Sequence, residues 1–135
     1  MREILFKAKR IDNGEWIEGY LVKACHNIYP NGYEIIDKHG INYDELDCWQ
    51  PSFISYEVDE KTICQHTDLT DKNGNKIWEN DIVKLGEDFY IVTWEEDDAM
   101  FALEDGGLIE SFKNADSKLC EVVGNIIDSP DLFNE

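Results

Sequence analysis

Short stretches in which apolar and polar residues alternate recur along the chain, at intervals of roughly ten residues. In the first, Ile4, Phe6 and Ala8 alternate with charged residues, which is the period-two pattern of a half-buried strand. Residues 12–14 (Asp-Asn-Gly) have hairpin turn chemistry, and residues 16–22 return with the same alternation. The opening of the chain therefore predicts an antiparallel β-hairpin.

The second half of the chain repeats this pattern. Residues 82–85 and 89–94 predict two strands joined across residues 86–88, and residues 100–103 return after an acidic hairpin tip. Gly106 and Gly107 predict a further turn into a short apolar pair, and residues 119–127 predict a closing strand. Helical signals are confined to one turn near residues 112–117 and one after Pro130.

The middle of the chain is less regular. Residues 30–32 (Pro-Asn-Gly) and 38–40 (Lys-His-Gly) predict turns on either side of a strand at residues 33–36. We therefore predict a mainly β protein in which short antiparallel strands form two regions. Residues 1–62 form an N-terminal β-hairpin lobe with a variable middle segment, and residues 63–135 form an SH3-like barrel, the two making either separate domains or one compact unit.

The clearest turn chemistry lies in residues 65–84, QHTDLTDKNGNKIWENDIVK. Asp71 suits the first position of a type I turn, because its carboxylate accepts backbone N–H bonds, and Gly74 supplies a positive φ after Asn73. Asn80 tolerates the left-handed conformation just before the strand that begins at residue 82.

This order of parts resembles the YopX family of small phage and prophage proteins, whose members carry a stretch like VGQ-T-GL-DKNGK-IYEGDIV. The likeness is strongest over residues 63–83 and extends to both ends of the chain, and it is weaker over residues 25–56. It implies a mostly β structure with an SH3-like barrel and no established biochemical activity. Asp68 and Asn80 stand where the family usually has glycine, and both residue types tolerate tight turns.

The chain is strongly acidic, with 12 basic and 30 acidic residues and a net charge of −18. Binding to phosphate groups requires Lys and Arg to release counterions, so we expect no nucleic-acid binding and no membrane binding. There is no signal-peptide h-region and no apolar run long enough to span a bilayer. The four cysteines form no C-x-x-C pair, so a cytoplasmic protein with reduced thiols is expected.

The first ten residues run against this trend, with four basic residues and one acidic one: Arg2, Lys7, Lys9, Arg10 and Glu3. A positive terminal strand on an acidic chain favours a self-complementary contact, so we expect a homo-oligomer. The alternative is a solvated strand edge on which lysine prevents aggregation.

One pair of residues resembles a nucleophile with its base. Cys64 and His66 lie two residues apart, on one face of a strand, and Asp68 could orient the imidazole. No G-x-C setting or oxyanion loop accompanies them, so we expect a protein that is not an enzyme, with a small hydrolase as the alternative. The His and Cys residues lack ligand spacing, and residues 95–98 lack a calcium-loop pattern, so no metal or cofactor is expected.

Aromatic residues near the acidic hairpin tip are the candidate partner-binding site. The set consists of Trp78, Tyr90, Trp94, Glu95, Glu96, Asp97 and Asp98. On SH3-like barrels aromatic side chains commonly line a peptide groove, and here such a groove would suit a basic, extended segment of a protein partner. The alternative is that these aromatics are core. A protein-binding or adaptor module is therefore the expected function, with an acidic decoy that mimics DNA as its rival.

Overall fold

The computed structural model describes residues 4–23, 32–42 and 52–132. The chain forms two compact units, an N-terminal unit that ends at Gln65 and a C-terminal unit that begins at His66. Strands account for 59% of the structure, which confirms the predicted mainly β class. The α-helix within the described residues is a single turn, α1 at Asn114–Ser117.

The N-terminal unit is an antiparallel sheet. Its strands are β1 (Phe6–Lys9), β2 (Trp16–Lys23), β3 (Tyr33–Asn42) and β4 (Ser52–Val58). They lie in the order β4-β3-β2-β1, and the start of β5 (Cys64–Thr70) pairs with the other side of β1. Ala8, Ile35 and Val58 form the buried core of this unit. The predicted opening hairpin is confirmed, with β1 paired to β2 from Phe6 opposite Gly19 to Lys9 opposite Trp16.

The turn predicted at residues 38–40 is wrong. Strand β3 continues through these residues, and its pairing with β4 changes register between Ile36 and Ile41. Between these two pairs β3 advances by five residues while β4 advances by two, so the strand is locally irregular without ending. Pro30 and Asn31 of the other predicted turn lie outside the described residues, as do Cys25 and Cys48.

Gly19 holds β2 close to β3. A Cβ atom at this position would lie 1.9 Å from the carbonyl oxygen of Ile36. Glycine is therefore required here for the close approach of two backbones rather than for an unusual φ.

The C-terminal unit contains two groups of strands. The rest of β5 pairs with β6 (Lys76–Trp78). A five-stranded antiparallel sheet follows, made of β7 (Asp81–Leu85), β8 (Asp88–Glu95), β9 (Met100–Asp105), β10 (Leu108–Ser111) and β11 (Glu121–Asn125). Its order is β10-β9-β8-β7-β11. Among the described residues β10 and β11 do not pair with each other, so the predicted barrel is not closed and the sheet has two edges.

The core of the C-terminal unit comes from one face of this sheet and the segments that cover it. Its buried residues are Ile77, Val83, Val92, Leu103, Phe112 and Cys120. Val92 is directly opposite Leu103, and Val83, opposite Tyr90, lies on the same face, so the alternation seen in the sequence places these apolar side chains together. The helical turns predicted after residue 112 and after Pro130 are present at Asn114–Ser117 and Pro130–Leu132.

Asp71 attaches the 71–75 turn to the β11 edge. Its side chain is only 4% exposed. One carboxylate oxygen accepts the N–H groups of Asn73 and Asn75, both at 2.9 Å, and the other accepts the Val122 N–H of β11, also at 2.9 Å. The Lys72 N–H adds a bond of 3.0 Å to the Cys120 carbonyl. The turn therefore covers one edge of the five-stranded sheet.

Asn80 adopts the left-handed conformation that its position requires, with φ of 73°. Its N–H donates to the Val92 carbonyl at 2.8 Å, and its carbonyl accepts the Ile126 N–H at 3.0 Å. Asp68, the other residue in a usual glycine position, has φ of 70°. Within the described part of the chain, no helix is long and apolar enough to cross a membrane.

Candidate functional site

Strands β8, β9 and β10 and the turns between them contain many acidic residues and no basic ones. Between Lys84 and Lys113 the chain contains no Lys or Arg. It contains nine carboxylates in the same interval: Glu87, Asp88, Glu95, Glu96, Asp97, Asp98, Glu104, Asp105 and Glu110. We call residues 85–112 the acidic meander, since they form three consecutive antiparallel strands.

Three of these carboxylates surround Tyr90, which is half-buried. Partial burial raises the pKa of the Tyr90 phenol, and the nearby charges of Glu110, Asp88 and Asp105 raise it further. The strand register explains the grouping, because Tyr90, Asp105 and Glu110 lie on the same face of three adjacent strands. One end of the acidic meander therefore presents an aromatic ring among three carboxylates from three strands.

Trp94 lies toward the opposite end, beside the hairpin tip. It is 41% exposed, and its ring contacts Phe101 edge to face at a centroid distance of 5.0 Å. Phe101 is the cross-strand partner of Trp94 and packs against the core, so it fixes the orientation of the indole. Glu95 is half-buried, and the three tip carboxylates Glu96, Asp97 and Asp98 are exposed. Here the predicted aromatic and the predicted acidic run do lie together.

Trp78 is not part of this surface. Trp78 is only 5% exposed, and its ring contacts that of His66 at a centroid distance of 5.0 Å. Its backbone N–H donates to the Asp81 carboxylate at 2.8 Å. A buried tryptophan offers no area to a partner, so its role is structural.

Two exposed apolar residues of β10, which face opposite sides of the sheet, were not predicted as a site. Leu108 is 73% exposed and Ile109 is 52% exposed. Ile109 shares one face of the sheet with Ile91 and with Phe89, over whose ring the Lys84 ammonium lies at 5.9 Å. A signal was present in the sequence, because two adjacent apolar residues break the alternation that a half-buried strand should show.

Cys64 and His66, on which the hydrolase alternative depends, both make contacts within the fold. The Cys64 thiol is buried and donates to the Thr62 carbonyl at 3.3 Å. The His66 ring packs on Trp78. Cys120 is buried as well, and burial together with the charge of Asp71 raises the pKa of its thiol to about 11. A buried thiol of this kind stays protonated and is a poor nucleophile.

Metal-binding groups do not converge in the described residues: no set of three or more His, Cys, Asp or Glu side chains is placed to hold an ion.

The basic residues of the N-terminal strand are engaged within their own unit. The Lys7 and Lys9 ammonium groups lie over the Trp16 ring, at 4.6 Å and 5.5 Å from its centroid. Arg10 pairs with the Asp12 carboxylate at 2.6 Å and lies over the Tyr56 ring at 4.0 Å. Strand β1 also pairs on both sides, with β2 and with β5. It is therefore not an edge that a second copy could join by strand pairing, and the expected homo-oligomer stays a prediction.

The architecture defines a mainly β protein of two units with an acidic, edge-exposed sheet in the second. The YopX protein family model matches residues 6–134, and the chain belongs to this family. A solved structure, that of protein EF1440 from Enterococcus faecalis, is similar over 98% of this chain and 99% of that one, with a TM-score of 0.59 and 19% sequence identity. This likeness shows a shared fold. No curated protein sequence matches the chain.

Proposed function

We propose that this protein is a non-catalytic binding module of phage or prophage origin, which captures a basic, extended segment of a partner protein on the acidic meander. Membership of the YopX family supports the origin. The observation that carries the binding role is the absence of Lys and Arg between residues 85 and 112, alongside nine carboxylates and the part-exposed Tyr90 and Trp94.

The two kinds of group contribute differently to binding. Charges that lie on the surface attract a basic segment from a distance and raise the association rate, and salt screens this attraction over a Debye length of about 8 Å. Trp94 offers a rigid aromatic surface already oriented by Phe101. Aromatic contacts of this kind dominate residence time once the partner has arrived. The association rate of the partner should therefore depend on salt concentration, and its dissociation rate should not.

A direct test uses a fluorescein-labelled peptide of 16 residues in which lysine alternates with valine or threonine. Stopped-flow fluorescence gives its association and dissociation rates at low and at physiological salt. The triple variant Glu96→Gln, Asp97→Asn, Asp98→Asn should slow association chiefly at low salt. Trp94→Ala should speed dissociation by about tenfold at both salt concentrations, the effect expected of a partly exposed aromatic contact.

A matched control removes the same amount of charge elsewhere. The triple variant Glu15→Gln, Glu18→Gln, Glu60→Gln neutralises three exposed glutamates of the N-terminal unit. If binding depends only on net charge, it should slow association as much as the tip variant does. Equal effects of the two triple variants, or no effect of Trp94→Ala in a protein whose far-ultraviolet circular dichroism and urea unfolding midpoint are unchanged, would contradict the proposal.

A further inference from the structure

The two edges of the five-stranded sheet differ in whether another segment of the chain covers their backbone groups. At the β11 edge the Val122 N–H donates to Asp71 and the Cys120 carbonyl accepts from Lys72. At the β10 edge the described residues supply no such cover. A strand edge left open presents unpaired N–H and C=O groups that can pair with another strand.

The register identifies which groups of β10 point outward. The Phe112 N–H donates to the Phe101 carbonyl at 3.2 Å, so it faces β9. Successive N–H groups of a strand alternate between its two sides. The N–H groups of Leu108 and Glu110 therefore also face β9, while those of Ile109 and Ser111 face away from the sheet. Both outward residues are opposite known partners on β9, Glu104 and Ala102, so the register is fixed.

The two faces of β10 differ in chemistry. Glu110 shares one face with exposed Leu108, Asp105 and Tyr90. Ile109 shares the other face with Ser111, with its direct partner Glu104 and with Ile91. A strand laid beside β10 would place alternate side chains next to these two faces. Lysine or arginine would suit the first face, and an apolar residue would suit the second.

A second copy of this chain fits the edge poorly. The symmetric antiparallel register that pairs Ile109 with Ser111 of the second copy puts Glu110 directly opposite Glu110 of that copy. Their Cβ atoms would then lie about 4.5–5.5 Å apart, a distance at which like charges destabilise a strand pair. Two acidic meanders without any Lys or Arg would meet as well. Glu110 therefore disfavours self-pairing in this register, and the charge of the acidic meander as a whole favours a basic strand.

The geometry points to β10 as a strand-addition site, where an extended segment with alternating basic and apolar residues joins the sheet antiparallel to Leu108–Ser111. This inference rests on the proposed function for the charge of the partner, and it adds the binding mode and the sequence pattern. Main-chain hydrogen bonds to Ile109 and Ser111 would supply affinity, and the two faces would supply specificity, as in other cases of strand addition.

The test uses a peptide of seven residues in which Lys and Val alternate, with blocked ends, and two analogues of it. One analogue carries N-methyl groups on all three valines, whose N–H groups would face β10 and of which two would pair with Ile109 and Ser111. The other carries three N-methyl groups on lysines, whose N–H groups would face away. Both have the same charge and the same number of methyl groups. Calorimetry should show binding of the parent and of the N-methyl-lysine peptide, with a loss of at least tenfold for the N-methyl-valine peptide.

A matched pair of protein variants tests the same contact from the other side. Ser111→Pro removes one outward N–H, and proline is tolerated at an edge strand when its nitrogen faces solvent. Ser111→Ala keeps that N–H. Loss of one such bond should weaken the parent peptide by about fivefold in Ser111→Pro and by less than twofold in Ser111→Ala. Should Ser111→Pro fail to fold, the peptide analogues decide the question with the unaltered protein.

The outcomes separate this inference from the proposed function. Equal affinity of the two N-methylated peptides overturns strand addition, whereas the charge and Trp94 effects described above would still stand. Analytical ultracentrifugation tests whether a second copy of the chain occupies the β10 edge instead. Self-association that strengthens with salt, and that the parent peptide does not reverse, would assign the edge to a second copy and overturn the inference. Trp94 lies two strands from β10, so its truncation and Ser111→Pro should weaken the 16-residue peptide additively.

Discussion

Replacing Asp71 by asparagine should destabilise the C-terminal unit by about 2–4 kcal/mol. Asp71 receives three backbone hydrogen bonds of 2.9 Å, two on one oxygen and one on the other. Asparagine turns one of these oxygens into an NH₂ group, which faces an N–H instead of accepting from it. One bond is lost if the NH₂ group faces Val122, and two are lost if it faces Asn73 and Asn75. A hydrogen bond to a charged group contributes roughly 1.5–3 kcal/mol.

Urea unfolding followed by tryptophan fluorescence measures the change, since buried Trp78 reports on the C-terminal unit. Two units can unfold separately, so the transition assigned to this unit should be confirmed by hydrogen exchange at the Val122 amide. The Val122 amide should exchange much faster in the variant. Asp97→Asn, the same change at an exposed position of the hairpin tip, is the control and should alter stability by less than about 0.5 kcal/mol.

The effect should depend on pH in a defined direction. Burial alone would raise the pKa of Asp71, but hydrogen bonds from Val122, Asn75 and Asn73 outweigh it and hold the pKa below the usual value of 3.8. A depressed carboxyl pKa stabilises the folded state above the unfolded pKa, and this stabilisation is lost as pH falls through the folded pKa. The difference in unfolding free energy between the natural protein and Asp71→Asn, referred to below as the gap, should therefore be largest at pH 7 and shrink below about pH 4. A gap under 0.5 kcal/mol at pH 7, or one that stays constant down to pH 2, would refute this account.

Two further substitutions test backbone requirements by the same urea assay. Asn80→Gly should leave stability within about 0.5 kcal/mol, whereas Asn80→Ala should lose roughly 1 kcal/mol or more because φ is 73° there; equal stability of the two variants would argue against a strained position. Gly19→Ala should destabilise the N-terminal unit by about 3 kcal/mol or more, since the added Cβ would lie 1.9 Å from the Ile36 oxygen; a change no larger than that of the neighbouring Glu18→Ala would show that β2 and β3 can separate without loss.

Sequence alone predicted the elements whose signals are local. The hairpins at residues 12–14, 86–87 and 106–107 each have a glycine with positive φ between alternating strands, and all three formed as expected. Such turns are determined by three or four adjacent residues, so distant parts of the chain need not be known. The failure at residues 38–40 has the opposite cause, because pairing with β4 before and after these residues keeps β3 continuous across a glycine that in isolation favours a turn.

Contacts between residues far apart in the chain could not be predicted from the sequence. Asp71 was identified as a turn residue, but its bond to Val122 spans 51 positions and depends on where β11 pairs. The same pairing leaves the sheet open, although strand lengths and spacing alone were compatible with a closed barrel. Of the candidate site, Trp94 and the acidic tip are neighbours in sequence and could be foreseen together. The grouping of Tyr90 with Asp105 and Glu110 needed the register of three strands.

The position of β11 also has a consequence for synthesis of the chain. Strands β7 to β10 pair with sequence neighbours and can form as soon as they are made, but β7 gains its second partner only when Glu121–Asn125 is available. At a translation rate of about 5–20 residues per second, the 35 residues that separate Leu85 from Glu121 take roughly 2–7 s. Until then the outer edge of β7 has no strand partner, whereas β10 remains an edge strand of the five-stranded sheet in the finished fold.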